Sequence, residues 1–262
     1  RFSKFNVRIR KISDTKHFIK NFINKSLENN INFYEIVDRP KIIVNDKILK
    51  NKIYKKNIIV TGGAGSIGSE LCLEILKYSP NKLFVLDTSE INLYNLKTKI
   101  KNSSKNLKFI LGDCSDYIFL EKVFKNETID EIYHAAAYKH VSFGEENSHT
   151  MIKNNIIGTK KIIEFACKNN IKNFTFISSD KAVNPKSILG YTKKIGEKLL
   201  NEFYLKYSKK KELNFSIVRF GNVIGSSGSV IPLFLEQVKN KEFLTVTNKN
   251  SERYFMSISE AV

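Results

Sequence analysis

The octet Thr61-Gly62-Gly63-Ala64-Gly65-Ser66-Ile67-Gly68 lies between the β-branched run Asn57-Ile58-Ile59-Val60 and the apolar-periodic run Glu70-Leu71-Cys72-Leu73-Glu74-Ile75-Leu76. A glycine turn between a strand and a helix suits the phosphates of a dinucleotide. Gly62 permits the tight turn, Gly65 lets backbone approach a pyrophosphate, and Gly68 lets the helix pack closely on the strand. The helix start at Ser66 and Ile67 offers N–H groups at the positive end of the dipole. A glycine pattern alone is weak evidence. The second signal is Asp87, nineteen residues after Gly68, closing the run Lys82-Leu83-Phe84-Val85-Leu86. A carboxylate there accepts hydrogen bonds from adenosine ribose hydroxyls and repels a 2′-phosphate, which favours NAD over NADP. The plainer role for Asp87 is a turn residue ahead of a helix-capping Ser89.

Other chemistry-bearing residues follow later apolar runs. Gly112-Asp113-Cys114-Ser115-Asp116 comes first. Asp113 can accept from an adenine amino group with Cys114 beside it, and Asp116 reads as a helix N-cap. His134-Ala135-Ala136-Ala137-Tyr138-Lys139-His140 comes next. Ala135 and Ala136 are small enough for the chain to pass under a flat cofactor, and Lys139 offers a cation to phosphate or sugar. His134 and His140 have no metal partner at ligand spacing, so packing or secondary hydrogen bonding is their simpler role. Then comes Ser178-Ser179-Asp180-Lys181-Ala182-Val183-Asn184-Pro185, an adjacent acid and base ahead of a proline turn. Catalytic groups collect at such places, although a solvated ion pair is the bland alternative. Lys193 follows on the next helix.

These segments must be positioned by elements, and the periodicity supplies them. Strands are expected at 57–61, 82–87, 107–111, 130–134, 173–178 and 214–220, and helices at 66–79, 89–101, 116–126, 148–169 and 190–208. Strands alternating with helices of this length imply right-handed βαβ units. The fold class is α/β: a Rossmann-type doubly wound parallel sheet. Apolar strands such as Phe174-Thr175-Phe176-Ile177 are expected to be buried on both faces. Residues 51–213 form the NAD-binding domain, and 214–262 hold its last strand and the start of a partial C-terminal substrate-binding region. Residues 1–50 form a basic N-terminal adapter. It holds a helix through Phe18-Ile19-Phe22-Ile23-Leu27 that Asp14 can cap and a short strand at Lys41-Ile42-Ile43-Val44. Lys209-Lys210-Lys211 reads as a solvated helix end.

The chain has 262 residues, 42% of them hydrophobic, and a formal net charge of +18. Residues 1–56 carry +10 of that charge and the other 206 residues +8. The main domain is therefore mildly basic, which suits an anionic nucleotide. No Arg-rich patch with interleaved aromatics appears, so nucleic acid is not an expected partner. Cys72, Cys114 and Cys167 lack metal spacing and read as reduced, with Cys72 and Cys167 in the core. No metal is expected. No stretch reaches the ~20 apolar residues of a membrane span, and no signal peptide is visible. The chain starts at Arg1 and stops at Val262 just inside an apolar-periodic segment. Both ends read as cuts in a longer protein.

TGGAGSIGSEL, LGDCSD, HAAAYKHV, NNIIGT, SSDKAVNP, GYTKK, RFGNVIGSSGSVIPLF and RYFMSISEAV occur in this order. From about Arg39 to Val262 the chain resembles the extended short-chain dehydrogenase/reductase superfamily. More narrowly, it is similar to the nucleotide-sugar 4,6-dehydratases of polysaccharide and glycoprotein-sugar biosynthesis, in the membrane-anchored branch. The resemblance implies a lyase with tightly bound NAD that converts a UDP-N-acetylhexosamine, such as UDP-N-acetylglucosamine, to a UDP-4-keto-6-deoxy sugar. It implies that Asp180 is the acid for the C6 hydroxyl and Lys181 the C5 base, a role that requires burial or a neighbouring cation to depress the lysine pKa. Ser179 would bond O4, Lys193 would hold the nicotinamide ribose, and Asn222 and Arg253 would face the UDP moiety. The resemblance also implies homo-oligomers through helices flanking the sheet. Full-length relatives of this branch carry N-terminal spans, which would place the protein on the cytoplasmic face of the bacterial inner membrane, its basic adapter against anionic lipid.

One departure bears on the chemistry. The superfamily signature is Tyr-x-x-x-Lys, yet Leu189 stands four residues before Lys193. Leucine transfers no proton, and Tyr191 lies two residues on, about 200° around a helix. The membrane-anchored dehydratases also lack this tyrosine. The O4 base is left open between Ser179, Lys193, and the substrate itself with ordered water. Ser142, replacing a usual proline, and Asn240-Lys241-Glu242-Phe243, replacing a glycine- and proline-rich turn, bear on loop geometry. A UDP-sugar 4-epimerase, which normally needs the missing tyrosine, and a non-catalytic nucleotide-binding module are the alternatives.

Overall fold

The computed structural model describes residues 45–100, 106–209, 212–226, 228–246, 248, 250 and 252–262. The adapter's expected helix and strand, and the end of the Lys209-Lys210-Lys211 run, lie outside the described residues. The main body begins with α1 (Asp46–Ile53), capped by the Asn45 side chain. Then come β1 (Asn57–Thr61), α2 (Ser66–Lys77), β2 (Lys82–Asp87), α3 (Glu90–Lys99), β3 (Leu107–Leu111), α4 (Tyr117–Val123) and β4 (Glu131–His134). They are followed by α5 (Val141–Glu146), α6 (Ser148–Ile152), a π-helical segment (Lys153–Gly158), α7 (Thr159–Lys168), β5 (Asn173–Ser179), a 3₁₀ turn (Asp180–Ala182), α8 (Ile188–Tyr207) and β6 (Asn214–Phe220). β7 (Asn222–Val223) pairs in parallel with β8 (Phe255–Met256) in a separate two-stranded sheet. A smaller unit contains α9 (Val230–Lys239), where the Gln237 amide donates to Thr245. The main body closes with α10 (Ile258–Ala261), fixed by a Ser257–Glu260 capping box.

The six long strands form one sheet in the order β3-β2-β1-β4-β5-β6, all neighbours parallel. This is the doubly wound order, with its switch point between β1 and β4. Alternate side chains of each strand feed opposite faces. On one face Ile59, Phe84, Ile132, Phe174 and Phe176 pack with Leu120 of α4, Ile162 and Phe165 of α7 and Leu200 of α8. On the other, Ile58, Val60, Leu83 and Val85 pack with Leu71 and Ile75 of α2 and Leu93 and Leu96 of α3. Each fully buried side chain of this size contributes about 1.5–3 kcal/mol. Cys72 and Cys167 lie in these cores as expected, and Cys114 joins them.

The expected strands are found at their places. Burial on both faces holds for β1 and β2. β5 instead alternates, with Phe174 and Phe176 buried and Thr175 and Ile177 half-open, and edge strand β6 is mostly exposed.

The expected single helix 148–169 is broken into α6, the π segment and α7. The wider π turn admits one more residue than an α turn. It places Asn155 in the interior, where Oδ1 accepts from Tyr138 N at 2.8 Å and Nδ2 donates to Tyr138 O at 2.9 Å. Among the described residues no helix is long and apolar enough to cross a membrane.

Candidate active site

The turn after β1 is built as the glycine spacing demands. Gly62 has φ +63°, and a Cβ there would lie 2.6 Å from the Ala136 backbone. The glycine loop and the Ala135-Ala136 chain after β4 thus touch backbone to backbone at the switch point. At Gly68 a Cβ would lie 2.1 Å from Gly62 O, so α2 can approach the turn only through glycine. Gly65 is the N-cap of α2 and has no side chain to cap it. The N-cap residue therefore brings no side chain over the start of α2, where the positive end of the dipole lies, as an anion site requires. This turn at a helix start, closed to a Cβ at Gly62 and Gly68, fits a dinucleotide pyrophosphate.

Asp87 is placed at the end of β2. Its Oδ2 accepts from Ala64 N at 3.0 Å and its Oδ1 from Ser89 N at 2.9 Å. The carboxylate therefore holds both the glycine loop and the start of α3, and Ser89 caps that helix. Asp113 accepts from Ser115 N at 2.7 Å, and Asp116 caps α4 as expected. The Cys114 thiol is turned into the core, where burial, ahead of the Asp113 charge, pushes its pKa up to about 12. What Cys114 can offer a ligand is its backbone.

His134 lies beneath the alanines, fully inside. Thr61 Oγ1 is 2.6 Å from its Nδ1 and Thr159 Oγ1 2.9 Å from its Nε2. Burial, with the Lys193 charge second, pushes its pKa down to about 3 and keeps it neutral. It is a hydrogen-bonded core residue. His140 is exposed and precedes α5. Lys139 is exposed at the loop tip, and partial burial of its stem lowers its pKa.

Beyond β5 the serine, acid and base converge. Ser179 Oγ donates to Asp180 Oδ1 at 2.9 Å and accepts from Lys181 N at 3.2 Å. Lys181 Nζ lies 3.5 Å from Asp180 Oδ1 and 2.8 Å from Asn222 Oδ1 on β7. α8 closes on this turn through Gly190, where a Cβ would lie 2.6 Å from Lys181 O. Four residues of α8 bring Lys193 inside, 7% exposed, with Nζ donating to Ile177 O at 2.7 Å and lying over the Phe176 ring. Burial pushes its pKa down to about 8, against the opposing pull of Glu197. Leu189 is 5% exposed while Tyr191 is 53% exposed, so the tyrosine does not turn inward to fill the leucine's place. Arg253 is exposed, its Nη1 on Glu252 O.

Two residues that motif reading passed over, Glu197 and Asn155, support this cluster. Glu197 receives Ser178 Oγ at 2.5 Å and the Arg219 guanidinium through both carboxylate oxygens. Asn155 ties the Tyr138 loop to Thr192, one residue before Lys193. A signal existed only for Glu197, which follows Lys193 by one helical turn on a core-facing stripe. Among the described residues no group of three His, Cys, Asp or Glu could hold a metal.

The comparisons agree with this architecture. A sequence profile described as polysaccharide biosynthesis protein matches residues 58–262. The chain is 37% identical over 250 residues to the capsular polysaccharide biosynthesis protein CapD of Staphylococcus aureus, covering 93% of this chain and 41% of that protein. It is 32% identical over 209 residues to an inverting UDP-N-acetylglucosamine 4,6-dehydratase of Campylobacter jejuni, covering 79% of this chain and 61% of the enzyme. Among solved structures, Pen from Bacillus thuringiensis superposes with TM-score 0.75 at 35% identity, covering 80% of this chain and 64% of that one. The chain thus spans about two fifths to three fifths of the curated relatives it matches. A glycine cradle at the switch point of a 3-2-1-4-5-6 sheet, a Ser-Asp-Lys turn beyond β5 and a match over most of the chain lead to one conclusion: the chain belongs to the polysaccharide biosynthesis protein family, with the Rossmann-type fold of the extended short-chain dehydrogenase/reductases.

Proposed function

We propose that this chain carries the NAD-binding and catalytic region of a nucleotide-sugar 4,6-dehydratase whose substrate is a UDP-N-acetylhexosamine. The observation that carries the reading is the Ser179-Asp180-Lys181 cluster joined by hydrogen bonds beyond β5, with leucine buried at position 189. NAD, when bound, would accept hydride from C4 and return it to C6. Gly62, Gly65 and Gly68 would admit its pyrophosphate, with the α2 start at Ser66 and Ile67 facing it. Asp87 and Asp113 would take the adenosine, and Lys193 the nicotinamide ribose.

The chain's own residues supply the proton transfers. A serine hydroxyl has one donor and two acceptor positions. Ser179 gives its donor to Asp180 and one acceptor position to Lys181 N. One acceptor position is left for the sugar O4–H. As C4 is oxidised, the O4 proton passes to Ser179 Oγ while the Ser179 proton passes to Asp180. Asp180 is then a carboxylic acid, the form needed to protonate the departing C6 hydroxyl as Lys181 takes the C5 proton. Leu189 needs no replacement in this relay. Asn222 and Arg253 are assigned to the UDP diphosphate and Lys139 to phosphate or sugar. A membrane-side role in a homo-oligomer belongs to the same proposal, and the match to the polysaccharide biosynthesis family supports its glycan-building part.

Proton NMR of the protein with NAD and UDP-N-acetylglucosamine in D₂O tests the reading. A new C6 methyl signal with deuterium at C5 is the expected result, lost in Asp180→Asn by roughly a hundredfold or more in rate. A C4 epimer without a methyl signal, or full-rate turnover by Asp180→Asn, would overturn it.

A further inference from the structure

We propose that Asn222 is a positioning residue for Lys181, its carboxamide oxygen anchoring the lysine Nζ and tying it to the β7–β8 strand pair. The inference rests on the dehydratase reading, in which Lys181 takes the C5 proton. It starts from the nearer of two contacts: Nζ is 2.8 Å from Asn222 Oδ1 and 3.5 Å from the adjacent Asp180 carboxylate. A lysine on four rotatable bonds is held by the group that reaches it best.

Asn222 is itself held by backbone. Its N–H donates to Tyr254 O at 2.8 Å, and it pairs with Phe255 in the β7–β8 ladder. A Cβ on the preceding Gly221 would lie 2.5 Å from Tyr254 O, so this crossing is closed to any side chain. The ladder strand β8 starts two residues after Arg253, the residue assigned to the diphosphate.

The chemistry of the amide suits an anchor for a base. Its oxygen accepts from the ammonium and, more weakly, from the neutral amine, which still carries N–H donors. It brings no charge and takes no proton. A carboxylate in its place would stabilise the ammonium and oppose proton abstraction. The other groups around Lys181 are accounted for. On its own turn Asp180 is the charged partner. On α8, packed against the turn by Gly190, Lys193 points to Ile177 O. Before β8, Arg253 bonds Glu252 O.

Two measurements on Asn222→Asp and Asn222→Ala test this. The first is competitive acetylation of Lys181 by acetic anhydride across pH, read by peptide mass spectrometry, which needs no turnover. The second is the pH dependence of kcat for C5 deuterium incorporation with saturating UDP-N-acetylglucosamine. In the nearly isosteric Asn222→Asp, the onset of Lys181 acetylation and the acidic limb of kcat both move to higher pH by about one unit or more. Asn222→Ala, with NAD binding retained, lowers kcat by roughly ten- to a hundredfold without that upward movement. Unmoved profiles in Asn222→Asp, or a change confined to KM, would overturn the proposal and leave Asn222 a diphosphate ligand alone. Moved acetylation in a protein whose wild type incorporates no C5 deuterium would overturn the dehydratase reading and with it the base-positioning role.

Discussion

Glu197 follows Lys193 by one turn of α8 and gathers Ser178 Oγ and the Arg219 guanidinium. Burial alone would push the Glu197 carboxyl up; the bonds from Arg219 and Ser178 outweigh it and hold the group below the usual carboxylate range. The resulting negative charge opposes the burial that lowers Lys193 to about 8. Glu197→Gln removes that charge, so Lys193 loses its proton at lower pH than in the wild type. If the Lys193 ammonium holds the nicotinamide ribose, NAD affinity should fall off on the alkaline side at a pH lower by about half a unit to one unit. Calorimetric titration of NAD binding across pH reads this directly. An alkaline fall-off at the wild-type pH would detach Glu197 from Lys193.

At the scale of elements, glycines decide how closely α2 approaches β1. Gly62 O stands where a Gly68 Cβ would need to be. Gly68→Ala forces the helix start outward, and overpacking of this kind costs about 1–3 kcal/mol. It also moves the α2 N–H groups off the pyrophosphate position. Urea unfolding should show a lowered midpoint with an unchanged slope, and NAD binding should weaken at least tenfold. Retained affinity at wild-type stability would show that the close approach is not needed. The break of the expected long helix belongs to this scale as well. Its apolar period runs through 148–169, yet the demand of the Tyr138 backbone for partners is met by Asn155 only in a widened turn.

For the molecule as a whole, His134 couples stability to pH. It bridges Thr61 on β1 and Thr159 on α7 and lies against Phe174 and Phe176. Its folded pKa, about 3, lies below its unfolded value of about 6.5. The unfolded chain therefore binds the extra proton first. The stability contributed by neutral His134 is complete above about pH 6.5 and is lost as pH falls toward about 3. His134→Phe removes this titration while giving up the threonine bonds. The variant should be less stable at neutral pH but should lose less on going from pH 7 to pH 4.5, by roughly 2–3 kcal/mol. Chemical denaturation at the two pH values checks it; equal losses would mean that His134 does not titrate with unfolding.

Local sequence determined the parts whose physics is local. The strand positions, the glycine turn, Asp116 and Ser89 as caps, the exclusion of Tyr191 from the position of Leu189, and the adjacency of Ser179, Asp180 and Lys181 all follow from periodicity, steric freedom and spacing along the chain. Tertiary structure decided what depends on partners far away in sequence. Asn222 meets Lys181 across 41 residues, Glu197 meets Arg219 across 22, and Asn155 meets Thr192 across 37. It also decided the second role of Asp87, since Ala64 N comes within reach only when β2 lies beside β1. A hydrogen bond is felt only at contact distance, and neighbours made by sheet order and helix packing leave no periodic trace in either segment.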